Sequence, residues 1–266
     1  MRFPIPGFAV LTIALAVPAA ADDLTIVSKV TRGDEPPTTA TSYLTSDHVR
    51  VVQGDGREMI ADLKSGDITM VDNRKKEYFT ITRQDMDQLK ARIQQQANSP
   101  EMQRAQEQMK NLPPEVQKKM QAAMGGLVSA VSVQKTGATR KIAGYNCESW
   151  TVALGTMSRT EQCLSTELPL PVQAWDAYRG FAGDMMGMMS AMGPLAKGFS
   201  EMREKMKEMK GYPMAVTTTT TMVGRPATTA TEVVEVKRGS VPASAWQVPA
   251  GYTKVDNPMT RHSRTM

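Results

Sequence analysis

The chain has 266 residues with a formal charge of +5, 41% hydrophobic and 5% aromatic residues, two cysteines, two histidines and 21 methionines. That composition is globular and excludes collagen-like and disordered chains, while a mild basic excess does not by itself make a nucleic-acid binder. Two histidines leave little for a histidine-built metal centre or protease.

Residues 1–21, MRFPIPGFAVLTIALAVPAAA, carry Arg2 as their only charge, then a long apolar stretch, then Ala19 and Ala21 ahead of Asp22-Asp23. This is the order of a secretory signal peptide. A membrane anchor is the competing reading, but Pro4, Pro6, Pro18 and the small-residue ending favour cleavage, and no cysteine follows Ala21. No later stretch has the length and apolarity of a membrane helix. The expected product is a soluble protein of the periplasm or medium, with no stable transmembrane segment after cleavage and no nucleic-acid partner. It should comprise a single exported domain over 22–255 and a flexible tail at 256–266.

Leu24, Ile26 and Val30 alternate with polar residues as in a strand, and TTATSYLTSDHVRVV reads as two more, separated near Ser46-Asp47. Strands then follow at 58–63, 67–72 and 77–81, with Lys64-Ser65-Gly66 and Asn73-Arg74-Lys75-Lys76 as turns. The predicted unit is an antiparallel meander.

At Thr82 the period changes. Thr82 with Asp85 has the spacing of a helix cap, and Met86, Leu89, Ile93 and Ala97 recur at helical intervals. Ser99-Pro100-Glu101 opens a second helix carrying Met102, Ala105 and Met109, and a third stripe after Pro113-Pro114 ends at Gly125-Gly126. The first helical insertion is therefore expected near 83–126.

Strand character returns at about 129–136. In KIAGYNCESWTVALG, Trp150, Val152 and Leu154 alternate. Trp175, Tyr178, Met185, Met189 and Met192 fall on one helical face, and Met202, Met206 and Met209 on another, predicting a second insertion near 175–209. YPMAVTTTTTMV and ATTATEVVEVKRG read as two extended strands around Gly224-Arg225-Pro226.

Two motifs carry a family resemblance. One is Ile142-Ala143-Gly144-Tyr145 followed by Cys147; the other is VPASAWQVPAGY, with Trp246, Pro249, Ala250, Gly251 and Tyr252. With the hairpins DLKSGDITMVDNRKKEYFTIT, they resemble an uncharacterised family of bacterial envelope proteins, the domain of unknown function numbered 4412, across most of 24–255. The order of elements is more distantly similar to the lipoprotein-carrier proteins of the periplasm. That likeness implies a curved antiparallel sheet forming a half-barrel over helices and enclosing an apolar cavity. Neither motif carries chemistry, so Gly144, Tyr145, Trp246, Pro249, Gly251 and Tyr252 read as structural.

In an oxidising compartment Cys147 and Cys163 read as one disulfide. They lie symmetrically about Gly155, so a hairpin turning there would set them directly opposite one another. Their spacing lacks the C-x-x-C form of thioredoxin-like redox sites.

The methionine stripes leave three readings open. They are helix–sheet core, an adaptable apolar surface for a lipid-like ligand or envelope protein, or an all-thioether copper(I) site at Met185, Met188, Met189 and Met192. Trp150, Trp175 and Tyr178 join them as candidate apolar-binding or packing residues.

No G-x-S-x-G, H-E-x-x-H or phosphate-binding glycine loop is present in the sequence, and no catalytic residue is named. His48 at a strand turn and His262 in the polar tail read as solvated. Asp55, Asp62, Asp67 and Asp72 read as turn residues.

The expectation is an α+β domain, a half-barrel-like antiparallel sheet of about 10–11 strands with two helical insertions. It would be a non-catalytic envelope protein without cofactor or resident metal, binding an apolar ligand or protein segment. The alternatives are a structural or interaction module with a filled core, and copper(I) binding.

Overall fold

The computed structural model describes residues 23–101, 131–155, 157–171, 204–222 and 225–258, together with scattered positions of 103–116. In chain order the elements are β1 (Leu24–Arg32), β2 (Thr38–Leu44), β3 (His48–Val52), β4 (Arg57–Asp62), β5 (Ile68–Asp72), β6 (Glu77–Ile81), α1 (Arg83–Ala97), β7 (Val131–Ile142), β8 (Tyr145–Leu154), β9 (Ser158–Ser165), β10 (Tyr212–Met222), β11 (Arg225–Arg238), a 3₁₀ turn at Ala243–Trp246, and β12 (Thr253–Lys254).

All twelve strands join one open, curved sheet in the order β12-β6-β5-β4-β3-β2-β1-β11-β10-β9-β8-β7. Every pairing is antiparallel except β12 on β6. The sheet is therefore larger than expected and mixed. β12 is too short, at two residues, to show an alternating pattern in sequence.

Two apolar rungs cross the meander half. Leu24, Leu44, Val49, Ala61, Ile68 and Ile81 are successive cross-strand partners, and Ile26, Ser42, Val51, Met59, Met70 and Phe79 form the next rung. The two-residue period of a strand keeps these side chains on one face. Leu24 and Ile26 are fully buried in the core with Leu44, Cys147, Cys163, Met214 and Val233.

Local chemistry explains the irregular points. Ala143 and Gly144 both take positive φ, 48° and 90°, in the two-residue turn joining β7 to β8, the conformation that tight hairpins require. The β9–β10 register shifts between Pro213 and Ala215, where a proline cannot donate to the ladder.

Helix α1 begins as its spacing predicts. Thr82 Oγ1 accepts from the Asp85 backbone N–H at 3.1 Å while Asp85 Oδ2 accepts from the Thr82 N–H at 2.8 Å, a reciprocal cap. The Thr82 N–H chiefly holds the Asp85 carboxyl below its ordinary value, aided by the Thr82 hydroxyl and the Asn257 side chain. Asn257 is buried, so ordered packing reaches past the expected boundary at 255.

Of the two helical insertions, α1 lies within the first. Most of 102–130 and all of 172–203 lie outside the described residues, and no second insertion is established among those described.

Candidate functional site

Three features of the sheet bear on function. They are the apolar rungs, a C-terminal segment strapped across the opposite face, and a hollow beside the disulfide.

On the apolar face, Val49, Val51, Met59, Ala61, Ile68, Met70 and Phe79 are half-buried. They form a continuous band four strands wide. Alternation sends Arg50, Glu58, Ile60 and Val71 to the other face.

That other face is closed by residues 241–257. Arg50 donates from both Nε and Nη2 to one oxygen of Glu58, an ion pair whose side chains are 12% and 7% exposed. Asn73 Nδ2 donates to the second Glu58 oxygen at 2.5 Å, and Arg50 Nη1 donates to the Ala245 carbonyl at 2.6 Å. Each Glu58 oxygen thus has a donor and Arg50 a further acceptor, the kind of added hydrogen bonding that a buried ion pair needs. Trp246 stacks on His48 with ring centres 5.0 Å apart and planes 18° apart, and Tyr252 Oη donates to Asn73 Oδ1 at 2.8 Å. Backbone bonds from Thr253 N to Lys76 O and Val255 N to Tyr78 O, at 2.9 and 2.8 Å, lay the strap along β6.

These contacts give the signature residues their places. Trp246 and Tyr252 are half-buried anchors, whereas Pro249 and Gly251 stand in the exposed turn before β12. His48, read from the sequence as solvated, is half-buried against Trp246. Arg50 and Glu58 were not singled out in the sequence, and Asn73 was read only as a turn residue. The available signal was a charge inside each of two apolar strands, Val49-Arg50-Val51 and Glu58-Met59-Ile60.

Cys147 and Cys163 form the disulfide, both nearly fully buried, with a Cα separation of 5.3 Å. They are not directly opposite. Leu154 pairs with Ser158 across the turn, so Ser149 faces Cys163 and the bridge runs diagonally. Three residues, 155–157, make that turn, and the hairpin is not centred on Gly155.

Beside the bridge lies a hollow of about 290 Å³ between β7 and β10. Thr136, Arg140, Ser149, Thr151, Arg159 and Glu161 are among its walls, and Trp150, half-buried in β8, also borders it. Ion pairs Arg140–Glu232 and Arg159–Glu161, at 2.6 and 3.0 Å, flank it.

The strand-end carboxylates hold turns. Asp62 Oδ1 accepts from Lys64 N and Ser65 N, and the Ser65 N–H chiefly lowers its pKa. Asp72 Oδ1 accepts from Arg74 N and Lys75 N. Hydrogen bonding to Arg57 holds the Asp55 carboxyl below its ordinary value. The Asp67 side chain accepts from Arg83 N at a long 3.4 Å.

Met206 and Met209 are half-buried in the turn at 204–209. Trp175, Tyr178, Met185, Met188, Met189, Met192, Met202 and His262 lie outside the described residues. Among the described residues there is no cluster of three or more His, Cys, Asp or Glu placed to hold a metal ion, and no helix is long and apolar enough to cross a membrane.

The sequence profile described as Domain of unknown function (DUF4412) matches residues 58–252. No curated protein matches. Among solved structures, PNGF-II is similar at 9% identity over 91% of this chain and 32% of its own, with a TM-score of 0.42. The chain thus spans about a third of that protein's length. The structure of the Pseudomonas aeruginosa MucA/MucB complex is similar at 12% identity over 86% of this chain and 56% of that one, with a TM-score of 0.39. For the LolA superfamily protein NE2245 from Nitrosomonas europaea the values are 6%, 86%, 91% and 0.25. Likenesses at this level carry over no ligand or partner.

Proposed function

Because the chain belongs to the DUF4412 family, a domain of unknown function, its role rests on its own geometry, and we propose a non-catalytic binding or interaction module of the bacterial envelope. It shelters a lipid-like ligand or an apolar protein segment from water, reversibly.

The observation that carries this reading is the half-buried band Val51, Met59, Met70 and Phe79, with Val49, Ala61 and Ile68 beside it. A contiguous apolar surface gains free energy by covering itself, and methionine adapts to irregular shapes. The opposite face of the same strands carries an ion pair and a fitted strap, which supports assigning the binding role to the apolar side. A buried disulfide supports an oxidising destination, periplasm or medium. Turn-holding roles for Asp62 and Asp72 support the non-catalytic reading.

The test is to purify the protein without detergent, inspect it by native mass spectrometry, and titrate it with a fluorescent acyl probe. Saturable binding that Met59→Asp and Met70→Asp each abolish, with circular dichroism unchanged, is the expected result. Absence of both a copurified apolar molecule and saturable probe binding would overturn the proposal in favour of a module with a filled core.

A further inference from the structure

We infer that residues 241–255 are a releasable latch, a segment that leaves the sheet as one unit well short of global unfolding and turns a sealed β6 edge into a strand-accepting one. The inference rests on the strap alone and is independent of the apolar band, which lies on the opposite face.

Between its two ends the strap is held by little buried surface. Val241 N donates to Asp23 Oδ2 at 3.1 Å at its root, and Asn257 is buried at its far end. From Val241 to Asp256 no residue is buried, and the 3₁₀ turn adds none to the core. β1, by contrast, buries Leu24 and Ile26 and pairs along both of its edges. Hydrophobic stabilisation follows buried apolar area, so the strap is held more weakly than the centre of the sheet.

The floor of the strap is built for both states. Arg50 and Glu58 keep each other and Asn73 when the strap leaves, losing only the bond to the Ala245 carbonyl. Release returns these two charges to water and recovers part of their desolvation cost. Ile60 and Val71, buried on the same face, favour the closed state.

The attachments depend on one another. The Arg50–Ala245 bond and the Trp246–His48 stack precede the exposed residues Pro249, Ala250 and Gly251, whereas the Tyr252–Asn73 bond and the backbone bonds to Lys76 and Tyr78 follow them. β12 is two residues long, too short to pair by itself. Each group of contacts fixes the path that the other needs, so losing one releases both. Gly239, at φ +141° and with open space around it, lets the root swing. Release bares the carbonyls of Lys76 and Tyr78, an N–H of Arg50 and the ring face of His48. An added strand carrying an aromatic side chain would use the same groups.

The test is native-state hydrogen exchange on the full chain, in urea concentrations below the unfolding transition. The amides of Thr253 and Val255 are expected to exchange together, at least roughly tenfold faster than the most protected amides of β1 and with a weaker urea dependence. Trp246→Ala, on the other side of the exposed residues, should speed both by roughly tenfold and leave β1 unchanged. If that variant does not fold, Tyr252→Phe tests the coupling in reverse, speeding exchange at the Gln247 amide, which bonds to Ser244 O, by roughly fivefold. The inference is overturned if Thr253 and Val255 match β1 in protection and urea dependence, if a variant speeds β1 as much as the strap, or if its effect stays on its own side of the exposed residues.

Discussion

At the β6 end of the sheet the closing groups come from far away in the chain, with 195 positions separating Arg50 from Ala245 and 179 separating Asn73 from Tyr252. At the β7 end the buried cross-link is local, a disulfide spanning 16 positions, and the distant contact there, Arg140–Glu232, is a solvent-exposed ion pair. The exposed backbone is handled differently as well. β12 pairs along β6, whereas β7 is the outermost strand and carries a register shift and the charges Lys135, Arg140 and Lys141, features that discourage a stray strand from pairing. The contrast separates two ways of stabilising one sheet. A short covalent loop mainly restricts the unfolded chain nearby, while a distant strap couples the two ends of the folded one.

Breaking the strap at its centre should have the largest effect. Arg50→Ala leaves Glu58 charged and buried without its partner, and a loss of about 3–5 kcal/mol is expected in urea unfolding. Proteolysis within 241–257 should accelerate in the same variant, which separates strap release from general loosening. Opening the other end is expected to cost about 2–4 kcal/mol, measured on a Cys147→Ala/Cys163→Ala variant, without exposing the strap to protease. If both lesions expose the strap equally, the two ends do not act separately.

Smaller changes sharpen the same contrast. Tyr252→Phe removes only the bond to Asn73 and should cost about 1 kcal/mol, with a modest rise in strap proteolysis. The smallest expected effect concerns pH. The Asp85 carboxyl is depressed in the fold, chiefly by the Thr82 N–H, so its contribution is complete above the ordinary value of 3.8 and is lost as pH falls through the depressed value. Asp85→Asn should therefore flatten the acid limb of a stability–pH curve and leave its neutral region nearly level.

Much of the architecture was legible because local patterns agree with it. Alternation located the meander, Thr82 and Asp85 located the start of α1, and Trp246 and Tyr252 of the VPASAWQVPAGY segment read as structural. What escaped depended on long-range placement. The face occupied by His48 is set by register, and its partner Trp246 lies almost two hundred positions away, which no local period reveals. The diagonal disulfide escaped because the turn is centred one residue beyond Gly155, which shifts every pair along the hairpin. Arg50 and Glu58 drew no reading from the sequence because the partners that bury them, Ala245 and its neighbours, come from the distant strap.

The strap also has a consequence in time. During synthesis at about 5–20 residues per second, roughly 10–40 s separate the appearance of Arg50 from that of Ala245. Until then the Arg50–Glu58 pair lacks its carbonyl acceptor and β6 lacks its neighbour. Hairpins made early are completed by residues made almost two hundred positions later, so a chain stopped short of about 245 carries an open strand edge and is prone to associate through it.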